Sequence, residues 1–302
     1  LGPQAQYTGF KNRIINGNFD FWQRGTTGTG AVYVADRWAT DQVNTTQARS
    51  TDVPGGIGVD YSLQVSASTG TNATVQKIES KNVRDLSGQQ VTVSFWAKAA
   101  SGTPTLNFDV RYATALDNFA SMTIMQGSTV TLSTTWTKYT FSFNALNSNV
   151  VNGLALFFYN VSTQTFLLSQ VQLEKGSTAT SFDYRPYGTE LALCQRYFAS
   201  SWPTGVAVGT YGTNTYYAGL SLGTSTTNQI ITCVSFPVEL RATPTFTTYD
   251  IANPPVSGKT YKGGNGKTAY ATAGSTRQIY AGSQDATNSP EMVFNWTASA
   301  EL

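Results

Sequence analysis

From Tyr61 onward, apolar and polar residues alternate with a period of two. Tyr61, Leu63 and Val65 share one side of the chain. So do Val91, Val93, Phe95 and Ala97, then Leu106, Phe108 and Val110, then Tyr139, Phe141 and Phe143, then Leu154, Leu156 and Phe158. Successive side chains of an extended strand point to opposite faces, so each run predicts a strand with one buried face. Turn formers bound the runs: Ser87-Gly88, Ser101-Gly102-Thr103-Pro104 and Asn147-Ser148-Asn149. Short strands at this spacing predict an antiparallel sandwich or jelly roll. Ahead of them, Arg13-Ile14-Ile15 leads into Asn16-Gly17, a pair that tolerates positive φ, and residues 33–38 predict a strand start with Asp36 and Arg37 beside Trp38.

A second series of strand-like pieces occupies 206–211, 216–222, 229–236, 245–249, 269–273, 277–281 and 292–297, and predicts another, smaller β-sandwich. Residues 263–268 (GGNGKT) faintly resemble a phosphate-binding loop, but the spacing is wrong, no apolar strand leads in and no helix follows, so a hairpin tip is expected. Between the two series lies a helical signal. Thr189 can cap a helix whose Leu191, Cys194 and Phe198 fall on one stripe, flanked by Leu193 and Tyr197. The expected fold is all-β, with two consecutive antiparallel β-sandwich (jelly-roll-like) domains joined by a short helical linker. Residues 1–12 form an arm or linker, 13–187 the first domain, 188–200 the helix and linker, and 201–302 a tip or assembly domain.

Composition narrows the function. Only 12% of the 302 residues are charged, the net charge is +2, and there is no run of Lys or Arg. That is the profile of an extracellular or virion β-protein, without an electrostatic footprint for nucleic acid or an anionic membrane. No apolar run approaches the ~18 residues of a membrane span. The chain has no histidine, which removes Ser/His/Asp and Cys/His triads and His-ligated metals. Cys194 and Cys233 fall in unlike settings and read as small buried hydrophobes before they read as a disulfide.

Several stretches carry a resemblance. Asn16-Gly17-Asn18-Phe19, Tyr61-Ser62-Leu63, 91–98 (VTVSFWAK), 135–139 (TWTKY) and 171–174 (VQLE) resemble a jelly-roll carbohydrate-binding module of the family-4/9 type. Residues 12–25 (NRIINGNFDFWQRG), 35–38 (ADRW), 185–187 (RPY) with 190–198 (ELALCQRYF), and the closing 294–302 (FNWTASAEL) resemble fibre and spike proteins of tailed phages and phage-like particles. Modules of the first type often hold a structural calcium with paired aspartates on the last strand. Ser169 and Gln170 stand there instead, and hard cations want carboxylate oxygens, so no metal and no cofactor is expected.

If the alternating residues fill the core, their neighbours line the outside. That set includes Gln64, Trp96, Lys98, Asn107, Asp109, Arg111, Phe157 and Tyr159. Aromatic faces stack on the apolar faces of sugar rings, and planar polar groups bond vicinal hydroxyls, so these eight are the candidate carbohydrate-binding residues. The alternative is a solvated sheet face whose aromatics are covered by a loop or neighbouring subunit. Trp136 and Trp38 read as structural anchors. Leu191, Cys194, Tyr197 and Phe198 are the candidate oligomer contact.

The resemblance implies a non-catalytic fibre or spike subunit on the virion surface, assembled in the bacterial cytoplasm. It would be a homotrimer bound to other virion proteins and would recognise a bacterial surface polysaccharide, capsule or lipopolysaccharide, during adsorption. A purely structural decoration or adaptor protein is the alternative. A depolymerase would need two carboxylates several ångströms apart, and Asp109 with Asp60, Glu79, Asp117 or Glu239 shows no such pairing by spacing.

Overall fold

The computed structural model describes residues 10–302 except 41, 212–220, 223–228, 263–264, 273 and 285–290. The chain is nearly all-β and forms two compact units. The first comprises the described residues up to Asp20, Thr26–Glu190 and Leu302; the second comprises Phe21–Gly25 and Leu191–Glu301. Among the described residues, no helix is long and apolar enough to cross a membrane.

The first unit is a sandwich of two antiparallel sheets. Its strands are β1 (Thr27–Thr29), β2 (Trp38–Ala39), β3 (Thr45–Ser50), β4 (Ser62–Ala67), β5 (Asn72–Ile78), β6 (Val91–Ala99), β7 (Thr105–Ala115), β8 (Asn118–Thr131), β9 (Thr137–Phe143), β10 (Leu154–Asn160) and β11 (Phe166–Lys175). One sheet has the order β1-β3-β4-β11-β6-β9, and the other β2-β5-β10-β7-β8. The alternation described above sets their inner faces. Leu63, Val65, Val93, Phe95 and Leu168 from one sheet are buried against Leu106, Phe108, Val110, Leu156 and Phe158 from the other. Phe95 meets Phe158 edge-on at 4.9 Å and Phe108 at 5.3 Å, ring centre to ring centre. Each such ring removed from water contributes about 1.5–3 kcal/mol, and each edge-on pair about 0.5–1.5 kcal/mol more.

Towards the β2–β5 end the interior turns polar, and several of its buried side chains are held by hydrogen bonds. Gln76 both accepts from the Ile15 N–H and donates to the Ile15 carbonyl, at 2.7 Å each, and Gln47 donates to Thr74 Oγ1 at 2.8 Å. Trp38 anchors this end, as its sequence position implied, with its indole N–H on the Asn16 carbonyl at 3.1 Å. Asn16 takes positive φ (55°). Gly17 is needed for a different reason: a Cβ there would fall on the Val171 carbonyl oxygen. The Val171 N–H in turn donates to the Gly17 carbonyl at 2.8 Å, where β11 bulges between Ser169 and Gln172.

The second unit holds β12 (Phe198–Ser200), β13 (Ser221–Leu222), β14 (Gln229–Ser235), β15 (Thr245–Tyr249), β16 (Lys259–Lys262), β17 (Asn265–Thr272), β18 (Gln278–Gln284), β19 (Glu291–Val293) and β20 (Asn295–Ser299). They form an antiparallel sheet ordered β12-β20-β15 and another ordered β13-β19-β16-β17-β18-β14. Phe236, Leu240, Ile279, Met292, Phe294 and Trp296 make its core. The expected hairpin is present, with β16 and β17 paired from Lys259↔Thr268 to Lys262↔Asn265. Residues 206–211 form turns rather than a strand, closed by Val206 N–H to Pro203 and Thr210 N–H to Ala207. The expected strand at 216–222 is seen at Ser221–Leu222; 216–220 lie outside the described residues.

Two boundaries differ from the sequence reading. Phe21–Gly25 belongs to the second unit: Gln23 donates to the Phe198 carbonyl at 3.2 Å, and Arg24 pairs with Glu301 at 2.9 Å and lies 3.7 Å from the Phe198 ring centre. The helix spans Tyr187–Gln195, so Thr189 lies inside it and Phe198 has passed into β12. Cys194, Tyr197 and Phe198 are buried within the chain, at 1%, 1% and 5% exposure, and have no surface to give a partner; of the four expected oligomer contacts only Leu191 is partly exposed. Cys194 is buried, Cys233 is exposed and no disulfide joins them.

Candidate functional site

The eight candidate residues do not form one face. Alternation tells which residues of a strand point outward, but not which sheet the strand joins. Asn107, Asp109 and Arg111 on β7 and Phe157 and Tyr159 on β10 share the outer face of the second sheet. Gln64 on β4 and Trp96 and Lys98 on β6 share the outer face of the first sheet, on the opposite side of the sandwich.

On the second sheet, β7 and β10 are neighbours in the register Asn107↔Tyr159, Asp109↔Phe157 and Arg111↔Ala155. Arg111 lies back across this register. Its guanidinium carbon is 4.0 Å from the Phe157 ring centre and 5.8 Å from that of Tyr159, while Nη2 holds Asp109 Oδ2 at 2.8 Å. Phe157, expected as a stacking platform, is therefore buried at 2% exposure beneath the guanidinium plane. Asp109 is buried too, and the space for its carboxylate comes from Gly127, its cross-strand neighbour on β8, where a Cβ would collide with Oδ1. Burial, and then the negative charge of Asp109, push the Tyr159 phenol above its ordinary value against the opposing effect of Arg111. Tyr159 is thus a proton donor at neutral pH. Asn107 closes the row with its amide on the Tyr159 carbonyl at 3.3 Å.

The other half of this face is apolar and filled. Ala39, Val75, Ala113, Phe119, Ala155 and Phe157 pack together with Tyr33, Met122, Tyr159 and Leu302. Lys77 Nζ and the Tyr33 hydroxyl donate to the Leu302 carbonyl, at 2.8 and 3.0 Å. What remains partly exposed is Asn107, Arg111 and Tyr159, with the buried Asp109 holding Arg111 in the row.

On the first sheet, residues 52–57 strap the middle of the outer face. Ser62 Oγ donates to the Asp52 carbonyl at 2.6 Å, and the Tyr184 hydroxyl donates to the Ile57 carbonyl at 2.6 Å. Lys98 Nζ meets Asp52 Oδ2 at 2.6 Å, and the Trp136 indole N–H meets Asp52 Oδ1 at 2.8 Å. Ser169 and Gln170, at the position where a calcium-holding pair was weighed, sit at the β11 bulge, where Gln170 hydrogen-bonds Tyr184. Of the carboxylates considered for hydrolysis, Asp109 is tied to Arg111, Asp117 to Ser80 and Glu239 to Arg277. Sequence reasoning missed the part of Gly127 and of Asp52, neither of which lies in an alternating run.

Among solved structures, the chain is similar to the enzymatically active domain of tailspike protein 4 of bacteriophage CBA120, with 19% identity over 55% of this chain and 21% of that one and a TM-score of 0.39. It is also similar to a xylan-binding domain from Paenibacillus barcinonensis (14% identity, 52% of this chain and 99% of that one, TM-score 0.36). A third is a family 11 carbohydrate-binding module from Clostridium thermocellum in complex with a mixed-linked tetrasaccharide (11%, 51% and 97%, TM-score 0.35). The chain thus spans about a fifth of the length of the tailspike domain. No curated protein matches it. Residues 11–159 match the carbohydrate binding domain family of the 4/9 type, which supports carbohydrate binding by this part of the chain. All eight candidate side chains, from Gln64 to Tyr159, lie inside the matched residues.

Proposed function

We propose that this chain is a non-catalytic fibre or spike subunit of a phage or phage-like particle, binding a bacterial surface polysaccharide through the Asn107–Asp109–Arg111–Tyr159 row. The observation that carries this reading is the Arg111 guanidinium set over the Phe157 ring, its carbon 4.0 Å from the ring centre, and held by Asp109. A guanidinium in that position keeps donors at its edge in one plane and presents a flat face to a sugar ring. The Arg111 edge, the Tyr159 hydroxyl and the Asn107 amide supply the polar groups that vicinal hydroxyls need, while the buried Asp109 holds Arg111 in place. A ligand bound here orders few new side chains, because the row is already held in place.

The fibre context rests on the resemblance of residues 12–25 and 185–198 to phage fibre and spike proteins. A homotrimer attached to other virion proteins would present three such rows, and simultaneous contacts would raise avidity by about 10²–10⁴ over one site. The particle would display the chain on its surface after assembly in the bacterial cytoplasm. A purely structural decoration protein is the alternative that the burial of Phe157 favours, since the ring expected to face a sugar is already capped. One experiment separates them: binding to capsule and lipopolysaccharide glycans, with reducing ends assayed in parallel, beside Arg111→Ala. Binding that the variant loses, without new reducing ends, supports the lectin-like reading. A folded protein that binds none of the glycans supports the structural one.

A further inference from the structure

The open edge of the first sheet carries a second arrangement of aromatic and charged groups, on the side of the sandwich away from Arg111. β6 and β9 pair there with Trp96 opposite Lys138 and Ala97 opposite Thr137. Ala97 is buried in the core, so Trp96 and Lys98 point outward. One position further along, Lys98 and Trp136 are joined through Asp52, which takes the ammonium on one oxygen and the indole N–H on the other. The result is a checkerboard of two indoles on one diagonal and two ammonium groups on the other. Cross-strand neighbours stand about 5 Å apart and diagonals about 7–8 Å.

Both indoles are half-buried and keep part of their surface in solvent, and Lys138 is exposed. Asp52 fixes the Trp136 ring by its only polar atom, so the ring is oriented before any ligand arrives. The neighbouring Leu167 and Ser169 on β11 are buried, and of the strap at residues 52–57 it is Asp52 that reaches the patch, through Lys98 and Trp136. Charge separates this patch from the row on the other sheet. Lys98 is neutralised by Asp52, while no carboxylate among the described residues pairs with Lys138. The patch therefore offers two aromatic surfaces, a fixed acceptor in Asp52 and one uncompensated cation.

We infer that the Trp96–Lys98–Trp136–Lys138 patch is a second glycan contact, one that takes a polysaccharide bearing sugar carboxylates, with the indoles under the rings and Lys138 meeting a uronate. This goes beyond the Arg111 row and does not depend on it, because the two surfaces belong to opposite sheets. A chain gripped on both faces would be held along two strands of polysaccharide instead of one.

The test is a titration of the full chain with sodium polygalacturonate and with its methyl-esterified form, in low and moderate salt. Expected are binding to the free acid, weaker binding to the ester, and loss of affinity as salt rises. Trp136→Ala should weaken binding about tenfold and Lys138→Gln about two- to fivefold. Since Lys138 is exposed, its variant folds normally and keeps the test decisive even if Trp136→Ala does not. Equal binding of acid and ester, binding indifferent to Lys138→Gln, or no binding of the acid by the folded chain would each overturn the inference. A loss confined to Arg111→Ala would also overturn it, by placing the acid-sugar contact in the row on the other sheet.

Discussion

Arg111 holds two unlike neighbours at once: its guanidinium carbon stands 4.0 Å from the centre of the Phe157 ring, and its Nη2 lies 2.8 Å from Asp109 Oδ2. The cation covers an aromatic ring and neutralises a buried acid with the same planar group. Removing the side chain in Arg111→Ala exposes the ring and leaves the carboxylate without its cation, which should cost about 1–3 kcal/mol of stability in urea unfolding. Arg111→Lys should recover part of that loss but not glycan affinity, because an ammonium has no plane to lay on Phe157. Affinity restored by lysine would show that charge alone matters in the row.

Gly127 should be intolerant of any side chain although it lies on an exposed edge strand. In Gly127→Ala the new methyl group would displace Asp109 Oδ1 and with it the Arg111 fork. The expected result is a destabilisation of about 1–3 kcal/mol together with weaker glycan binding. Thermal unfolding and affinity electrophoresis on the same preparation would check both.

Gly17→Ala meets a backbone atom, the Val171 carbonyl oxygen, which cannot swing aside as a side chain could. It should lower stability by about 3 kcal/mol, near the top of the range for overpacking. An unchanged denaturation midpoint would mean that the bulge in β11 relaxes more easily than its paired hydrogen bonds suggest.

Asp20 should make stability depend on pH in the direction opposite to most carboxylates. Burial raises its carboxyl above the ordinary 3.8, the hydrogen bond from Asn18 opposes this, and the charges of Asp60 and Glu190 raise it further. The folded state therefore binds this proton more tightly than the unfolded state. The resulting stability is fully present below 3.8 and is lost as the pH rises through the elevated folded-state value. Asp20→Asn, which needs no proton, should gain stability relative to the parent as the pH climbs from below 3.8 to neutrality. A difference between the two that stays flat across that range would contradict the assignment.

The strands most legible in the sequence are those whose inner faces are wholly apolar. Phe95 on β6, Phe108 on β7, Phe141 on β9 and Phe158 on β10 each announce an interior by their spacing, and the sandwich places them there. β5 hides because it turns Thr74 and Gln76 inward, where Gln47 and the Ile15 backbone satisfy them, while Val75 faces out; its pattern reads as noise unless those partners are known. β8 hides for the opposite reason. It is an edge strand with solvent on much of its length, so no apolar period is imposed on it. The candidate binding residues were legible as outward-facing positions but not as one surface, since the sheet a strand joins depends on pairing across dozens of residues. The stripe at Leu191, Cys194 and Phe198 followed helical spacing, yet the helix ends at Gln195 and Phe198 is held instead by β20 and Arg24. Helical period alone carries no information on where an edge strand will capture the chain.

The five residues Phe21–Gly25 give the second unit two separate lengths of chain, Phe21–Gly25 and Leu191–Glu301. Such a module cannot be transplanted by a single joint. A hybrid made by splicing a foreign sequence at the helix would carry Phe198 without the guanidinium of Arg24 over its ring, and Glu301 without its cation. Recombination that exchanges the second unit for another must therefore move the Phe21–Gly25 segment as well, or select a new residue to take the place of Arg24.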